Sequence, residues 1–240
     1  MIILREDSEL VVTTQPDHAY FSGDLLHLWR FDGFEFHPRR QELIFAAREH
    51  DNGWREADSA PRVDPTTQRP HTFQTIPRQV RFEIWQTGVE RFSEDHPYAS
   101  LLVAHHALEL HREHRGQPEW EDGLFSFLEE SISELAERCE VPLQEVRRDY
   151  GLLEVTDLIS LAACSGWEGS FERAGYRFSV EPGTTESIVR VDPFPLAGAT
   201  RFEVASRRIV DRAYEDGVDL AVTLASARWY RRVIRVEKGA

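Results

Sequence analysis

Lysine is almost missing from this 240-residue chain: Lys238 is the only one, and the other 27 basic residues are arginine. Against them stand 42 acidic residues, for a formal net charge of −14. Such acidity argues against broad binding to nucleic acid or to anionic membranes, because phosphate attraction needs a basic face. An acidic, lysine-poor surface suits a high-salt cytoplasm and, equally, a genome that writes Arg in place of Lys. Cysteine is scarce too. Cys139 and Cys164 are the only two, each in an apolar helical context, so a disulfide scaffold is excluded and a reducing cytoplasm is the expected location. No apolar run approaches the ~20 residues that span a bilayer, and no basic segment followed by an apolar stretch opens the chain, so no signal peptide is expected. The Walker loop, the dinucleotide-type glycine pattern, the Gly-x-Ser-x-Gly elbow and the Cys-x-x-Cys pair are all lacking. Histidine is absent from everything after His114, which confines imidazole chemistry to the first two thirds.

What is present suits one domain, or one domain with a small appendage, able to bury a full core: 41% of residues are hydrophobic and 11% aromatic. Two apolar runs, Ile2-Ile3-Leu4 and Leu10-Val11-Val12, flank Glu6-Asp7-Ser8 and predict a β-hairpin over 2–14. Pro16 fits a first helical position, followed by Phe21, Leu25 and Leu28 at helical spacing. Pro38 opens a second helix with a stripe at Leu43, Ile44 and Ala47 that stops at Gly53. Residues 54–77 lack periodicity, carry four prolines and read as a long loop, which inside a compact domain is often a functional one. Helices are expected at about 78–94, 97–115, 119–139 and 142–165. After Gly166 the period shortens, predicting strands at 176–180, 187–191 and 229–236 and a helix near 218–227. The chain is therefore expected to be mainly α, with a small sheet from the N-terminal hairpin and the C-terminal strands. Residues 1–166 form its metal-binding core and 167–240 an α/β segment packed on the same domain.

Four places along the chain carry the chemistry. His18 lies on the buried face of the first helix, three and seven residues before Phe21 and Leu25. His50 and Asp51 extend the Leu43, Ile44, Ala47 stripe at the last turn before Gly53, where the negative end of the helix dipole favours a cation. His105 and His106 sit on a helix that is apolar almost all round, so periodicity cannot choose between them. Asp157 lies four residues from both Leu153 and Leu161, and a charged group on an apolar stripe is costly unless it is paired or metal-bound. A lone residue of any of these kinds is more often structural. Four such placements point instead to a shared divalent ion, and imidazole with carboxylate suits Fe, Mn, Zn, Co or Ni.

The order His18, His50-Asp51, His106, Asp157 resembles the His…His-Asp…Asp pattern of the HD-domain superfamily of helical metal-dependent proteins. The phrases Thr14-Gln-Pro-Asp-His-Ala19, Glu49-His-Asp-Asn-Gly-Trp54 and Pro97-Tyr-Ala-Ser-Leu-Leu102 resemble more closely a prokaryotic family, domain of unknown function 3891, over nearly the whole chain. The first resemblance implies an HD-like helical bundle in which His18, His50, Asp51 and Asp157 hold one metal. A second ion would draw on His106, His105 or His71, of which the resemblance favours His106. The chain departs from well-known HD enzymes in having Asn52-Gly53-Trp54 after the His-Asp pair, where several branches place a lysine.

The leading expectation is a metal-dependent hydrolase of a small phosphorylated metabolite or nucleotide, with Asp51 binding metal and orienting water and Arg55 assisting. Arginines of the 55–81 stretch, Arg62 and Arg69 among them, would neutralise an anionic substrate, and Trp54, Phe73 and Tyr98 would wall its pocket. Two alternatives differ in kind. One is an HD-type di-iron oxygenase, which requires His71 or both His105 and His106. The other is a non-enzymatic metal- or ligand-binding protein. His111 and His114 fall in a charged segment and read as surface.

Overall fold

A computed structural model describes residues 1–183 and 186–239. The hairpin forms as expected, from β1 (Ile2–Glu6) and β2 (Glu9–Thr13). Thr14 then caps α1 (Gln15–His27), its Oγ1 accepting the Asp17 N–H at 3.1 Å, with Pro16 in the first turn. The chain continues through α2 (Arg40–Glu49), α3 (Trp54–Ser59), α4 (Arg78–Glu90), α5 (Pro97–Leu110) and a short turn α6 (Pro118–Trp120). A π-helical turn at Glu121–Phe125 leads into α7 (Ser126–Arg138), and α8 (Leu143–Ser165) ends at Gly166, whose φ of 66° closes the helix in the left-handed region. Strands β3 (Gly169–Arg173), β4 (Tyr176–Glu181), β5 (Glu186–Asp192) and β6 (Thr200–Val210) follow, then α9 (Gly217–Ser226) and β7 (Trp229–Lys238). No described helix is long and apolar enough to cross a membrane.

The strands correct the expected architecture. A mainly α, HD-like bundle with a minor sheet is not what forms. All seven strands join one sheet in the order β1-β2-β6-β7-β5-β4-β3, antiparallel except for the β5–β7 pair, so the fold is α+β. The hairpin of the 1–166 segment and the strands of the 167–240 segment share that sheet; Thr184, Thr185 and Ala240 of the latter lie outside the described residues. The sheet was under-read because its longest strand hides its period. In β6 the inward positions run Phe202, Val204, then Ser206, and the pair Arg207-Arg208 follows before Ile209. Ser206 is buried yet polar, and its hydroxyl is satisfied by Thr13 across the sheet at 2.8 Å. Helix α3 was likewise missed within the expected 54–77 loop, being barely one and a half turns long.

Helices α1 and α8 lie against this sheet, and α2 and α5 pack on them in turn. The principal core joins Phe21, Leu25, Leu43, Leu101, Leu102, Leu153 and Ile159 from those four helices to Val189, Val191, Phe202 and Ile234 of the sheet.

The turn between α2 and α3 is pressed against α4. Gly53, read from sequence as a helix terminator, has φ −67° and so is not needed for its backbone freedom. It is needed for space, since a Cβ there would stand 2.0 Å from the Ile84 carbonyl oxygen and 2.9 Å from the Gly88 nitrogen. Asn52 ties the same turn down, donating from Nδ2 to Glu49 O (2.8 Å) and Gly88 O (2.9 Å). Gly53→Ala is therefore expected to cost ~1–3 kcal/mol by overpacking, a fall in melting temperature of roughly 3–10 °C for a domain of this size. Calorimetry checks this, and an unchanged melting temperature would mean that the turn does not bear on α4.

Candidate metal centre

Each of four helices delivers part of one buried cluster. His18 comes from the first turns of α1, His50 from the C-cap of α2 with Asp51 in the turn behind it, His106 from α5 and Asp157 from the middle of α8. All five side chains are buried. His18 Nε2 stands 2.8 Å from Asp51 Oδ2, and His50 Nε2 stands 3.1 Å from Asp157 Oδ1 and 3.7 Å from Asp51 Oδ2. His106 Nε2 lies 3.8 Å from Asp157 Oδ2. His18, His50 and Asp157 each present a donor atom within 4.8 Å of the other two, an arrangement that can hold a metal ion.

The outer contacts fix which nitrogens are free. Ser160 Oγ donates its hydrogen to the Asp157 carbonyl (2.9 Å), so at 2.8 Å from His18 Nδ1 it accepts, and the His18 proton sits on Nδ1. His50 Nδ1 faces the Ala47 carbonyl at 2.8 Å and must donate to it. His106 Nδ1 meets the Tyr150 hydroxyl at 3.3 Å. Anchoring each imidazole through Nδ1 turns its Nε2 inward, as outer partners of metal-bound histidines do, and for His18 and His50 the proton is held on the outer nitrogen. The inward side is then short of positive charge. His50 Nε2, although 3.1 Å from Asp157, meets no acceptor along its ring N–H direction and is an orphaned buried nitrogen. His18 Nε2 faces a carboxylate at 2.8 Å, which two acceptors tolerate only with a proton or cation between them. The residues fit a divalent transition ion on chemical type, burial and orientation.

Electrostatics agree. Burial opposes charge on His50, but the facing carboxylates of Asp157 and Asp51 outweigh it and lift its pKa from 6.5 to about 9. Burial would raise Asp157, yet His50 above all holds it well below the usual carboxylate range, and Asp51 is depressed in the same way by His50 and His18. His106 is pushed down to about 4 by burial and stays neutral.

The other sequence candidates scatter. His105, one helical step from His106, packs on the other side of the Tyr150 contact and borders a different cavity with Ile132, Ala136 and Arg147. His71 lies in the loop with Nδ1 3.2 Å from Thr75 Oγ1. Arg55 pairs with Glu49 at 2.6 Å and borders a separate cavity with Asp17, Asp58 and Arg207. Arg62 is exposed, and Arg69 is bound to Asp211 and to the Arg212 carbonyl. Tyr98 is buried elsewhere, its hydroxyl donating to Asp149 Oδ2 at 2.7 Å.

Trp54 and Phe73 do reach the cluster. Together with Gln15, Arg81, Trp85, Leu110, His111 and Leu161 they line a cavity of about 320 Å³ that opens onto His18, Asp51, His106 and Asp157. Sequence reasoning missed several of these. Ser160 lies three residues after Asp157, one helical turn on, and Tyr150 seven before it. Both were readable as same-face neighbours once Asp157 was chosen. His111, read as surface, is buried: α5 ends at Leu110, the His111 Nδ1 donates back to Ala107 O at 2.8 Å, and the Trp120 ring covers it at 5.3 Å between centroids.

An α+β fold with a buried three-histidine, two-aspartate cluster under an aromatic cavity is the class that the geometry defines. Residues 1–211 match the model of a family described as a protein of unknown function, DUF3891, and the chain belongs to that family. No curated protein and no solved structure matches it.

The His50 shift sets a pH signature for the protein without a bound ion. A folded pKa above the unfolded one adds stability that is complete below about pH 6.5 and is lost as pH rises through about 9. Chelator-treated protein should thus lose stability over that window, by about 3 kcal/mol at most, in urea titrations at successive pH values. His50→Gln should flatten the dependence. Equal slopes for the two proteins would mean that His50 is not charged in the metal-free fold.

Proposed function

We propose that the chain is a metal-dependent hydrolase of a small molecule. His18, His50, Asp51, His106 and Asp157 hold one divalent transition ion at the floor of the aromatic cavity. The observation that carries this reading is the orientation of the three imidazoles: all are anchored outward through Nδ1, and an unpartnered His50 Nε2 faces two carboxylates. The order of these residues resembles that of HD-superfamily proteins in sequence only, since the surrounding architecture is not a helical bundle. A divalent ion in such a site lowers the pKa of a bound water towards neutrality and polarises a bound carbonyl or phosphoryl oxygen.

The protein's own residues supply the rest. Asp51 and Asp157 balance the charge of the ion, and Asp51 accepts a proton from a water held beside it. Ser160, Ala47 and Tyr150 keep the rings in one tautomer. Trp54, Phe73, Trp85, Leu110 and Leu161 exclude bulk water from the reacting end of the substrate, where low polarity strengthens each charge interaction. A single ion suits the geometry better than two, because His71 and His105 are turned away from the centre. Two free cysteines, Cys139 and Cys164, suit a reducing cytoplasm.

Asp51→Ala removes a buried anionic ligand that His50 cannot replace. Protein purified with metal should carry about one ion per chain by elemental analysis, and the variant should fall to a small fraction of that. Asp95→Ala, at an exposed position, should not change it. Loss of the ion also lowers stability, by about 2.7 kcal/mol where metal had been at a hundredfold excess over Kd. Hydrolysis of ester, amide and phosphoester panels, with solvent ¹⁸O appearing in the product, should drop at least a hundredfold in the variant. A metal-loaded wild type that turns over none of them would leave a binding protein in place of an enzyme.

A further inference from the structure

Arg81 carries a charge that no carboxylate among the described residues pairs with. It lies in the first turns of α4 and lines the cavity over the centre, about half buried. Its Nη2 donates to three backbone carbonyls of the preceding loop, Phe73 (3.2 Å), Gln74 (3.0 Å) and Ile76 (3.5 Å), while Nε is buried without a partner. Among the described residues no carboxylate pairs with it, and burial alone moves its pKa downwards. Four nearby arginines behave differently, Arg55 pairing with Glu49, Arg69 with Asp211, Arg78 with Glu119 and Arg91 with Glu56, while Arg62 is exposed to solvent. Three neutral carbonyls fix where the guanidinium sits but leave its charge unmatched, and a half-buried charge of this kind is normally paired.

The charge balance of the whole cavity follows from its lining. A dication is matched by Asp51 and Asp157, and three neutral imidazoles add nothing. Glu113 is at the rim, its side chain 78% exposed, where solvent screens it. Arg81 is then the one uncompensated charge facing the cavity. The remaining walls are the apolar Trp54, Phe73, Trp85, Leu110 and Leu161 with the uncharged polar side chains of Gln15, Gln74 and His111, around a volume of about 320 Å³, within the range of small-molecule sites.

We infer that the ligand of this cavity is a monoanion: an apolar, ring-bearing body with a single carboxylate-type group that pairs with the Arg81 guanidinium. The apolar body stacks among the tryptophans, and the carboxylate takes the donors that Arg81 has left, for which a planar guanidinium is well suited. A doubly charged phosphate fits less well, because its second charge finds no cation and faces Asp51 and Asp157. This inference rests on the metal-centre reading for its charge count.

Calorimetric titration of metal-loaded protein tests it, with 2-naphthoate, its uncharged amide and 2-naphthyl phosphate as probes and with metal content measured on the same samples. The naphthoate is expected to bind at least tenfold tighter than the amide and tighter than the phosphate. Arg81→Gln should bring the acid-to-amide ratio close to one while leaving metal content and amide affinity in place. Arg81→Lys, which keeps the charge, should retain a ratio above one. If Arg81→Gln does not fold, the ratios in the wild type and in Arg81→Lys decide the question. An amide that binds as well as the acid, a phosphate that binds tightest, or an acid preference that survives Arg81→Gln overturns the inference. Failure of a metal-supplied sample to hold an ion would instead remove the metal-centre reading, so the two failures are distinguishable.

Discussion

The constraint on which this fold turns is the burial of two carboxylates, Asp51 and Asp157, where four helices meet. Buried carboxylates demand positive charge, and the three imidazoles around them are each committed through Nδ1 to an outer partner. A proton on His50 relieves part of the demand, which is why its pKa rises despite complete burial. A divalent ion at this place, as proposed, would relieve the rest of it through the nitrogens that face inward. The same requirement positions the helices. α1 must bring His18 to Asp51, α2 must end where His50 and Asp51 reach opposite walls, and α8 must pass close enough for Asp157 to face both His50 and His106. The tight seat of the α2–α3 turn on α4, made by Gly53 and Asn52, holds that end of the site in register.

The sheet supports the site from one side only. α1 and α8 carry His18 and Asp157 and pack on β1 and β3–β6, so the sheet helps set the spacing between the two residues. The cavity opens away from the sheet, towards the loop before α4 and the end of α5. The aromatic wall comes from α3, that loop and α4, which also carries the unmatched Arg81.

What the sequence disclosed, and what it concealed, divides along lines of local and non-local information. The positions of His18, His50, Asp51 and Asp157 were legible because they break or extend an apolar helical stripe, and a polar group on such a stripe is conspicuous in one dimension. The hairpin and most helices showed through period and caps, as at Thr14-Pro16. The sheet did not, because β6 buries Ser206 against Thr13, a satisfaction visible only when strands far apart in sequence are paired. Nor did α3, too short for a period to register. His105 and His106 could not be separated by periodicity on a helix buried nearly all round, and only the packing of α7 on one side and Trp85 on the other distinguishes them. The loop arginines misled for a related reason: the fold places the partners of Arg55 and Arg69, Glu49 and Asp211, and leaves Arg62 exposed, so Arg81 stands apart only once those settings are seen.

Anomalous X-ray scattering at a metal absorption edge, on crystals of protein purified with that metal, tests the central claim most directly. The account predicts one strong peak per chain, enclosed by His18, His50, Asp51, His106 and Asp157 and absent from Asp51→Ala crystals. Crystals with no peak there, and with His50 and Asp157 closed into a direct hydrogen bond, would contradict it.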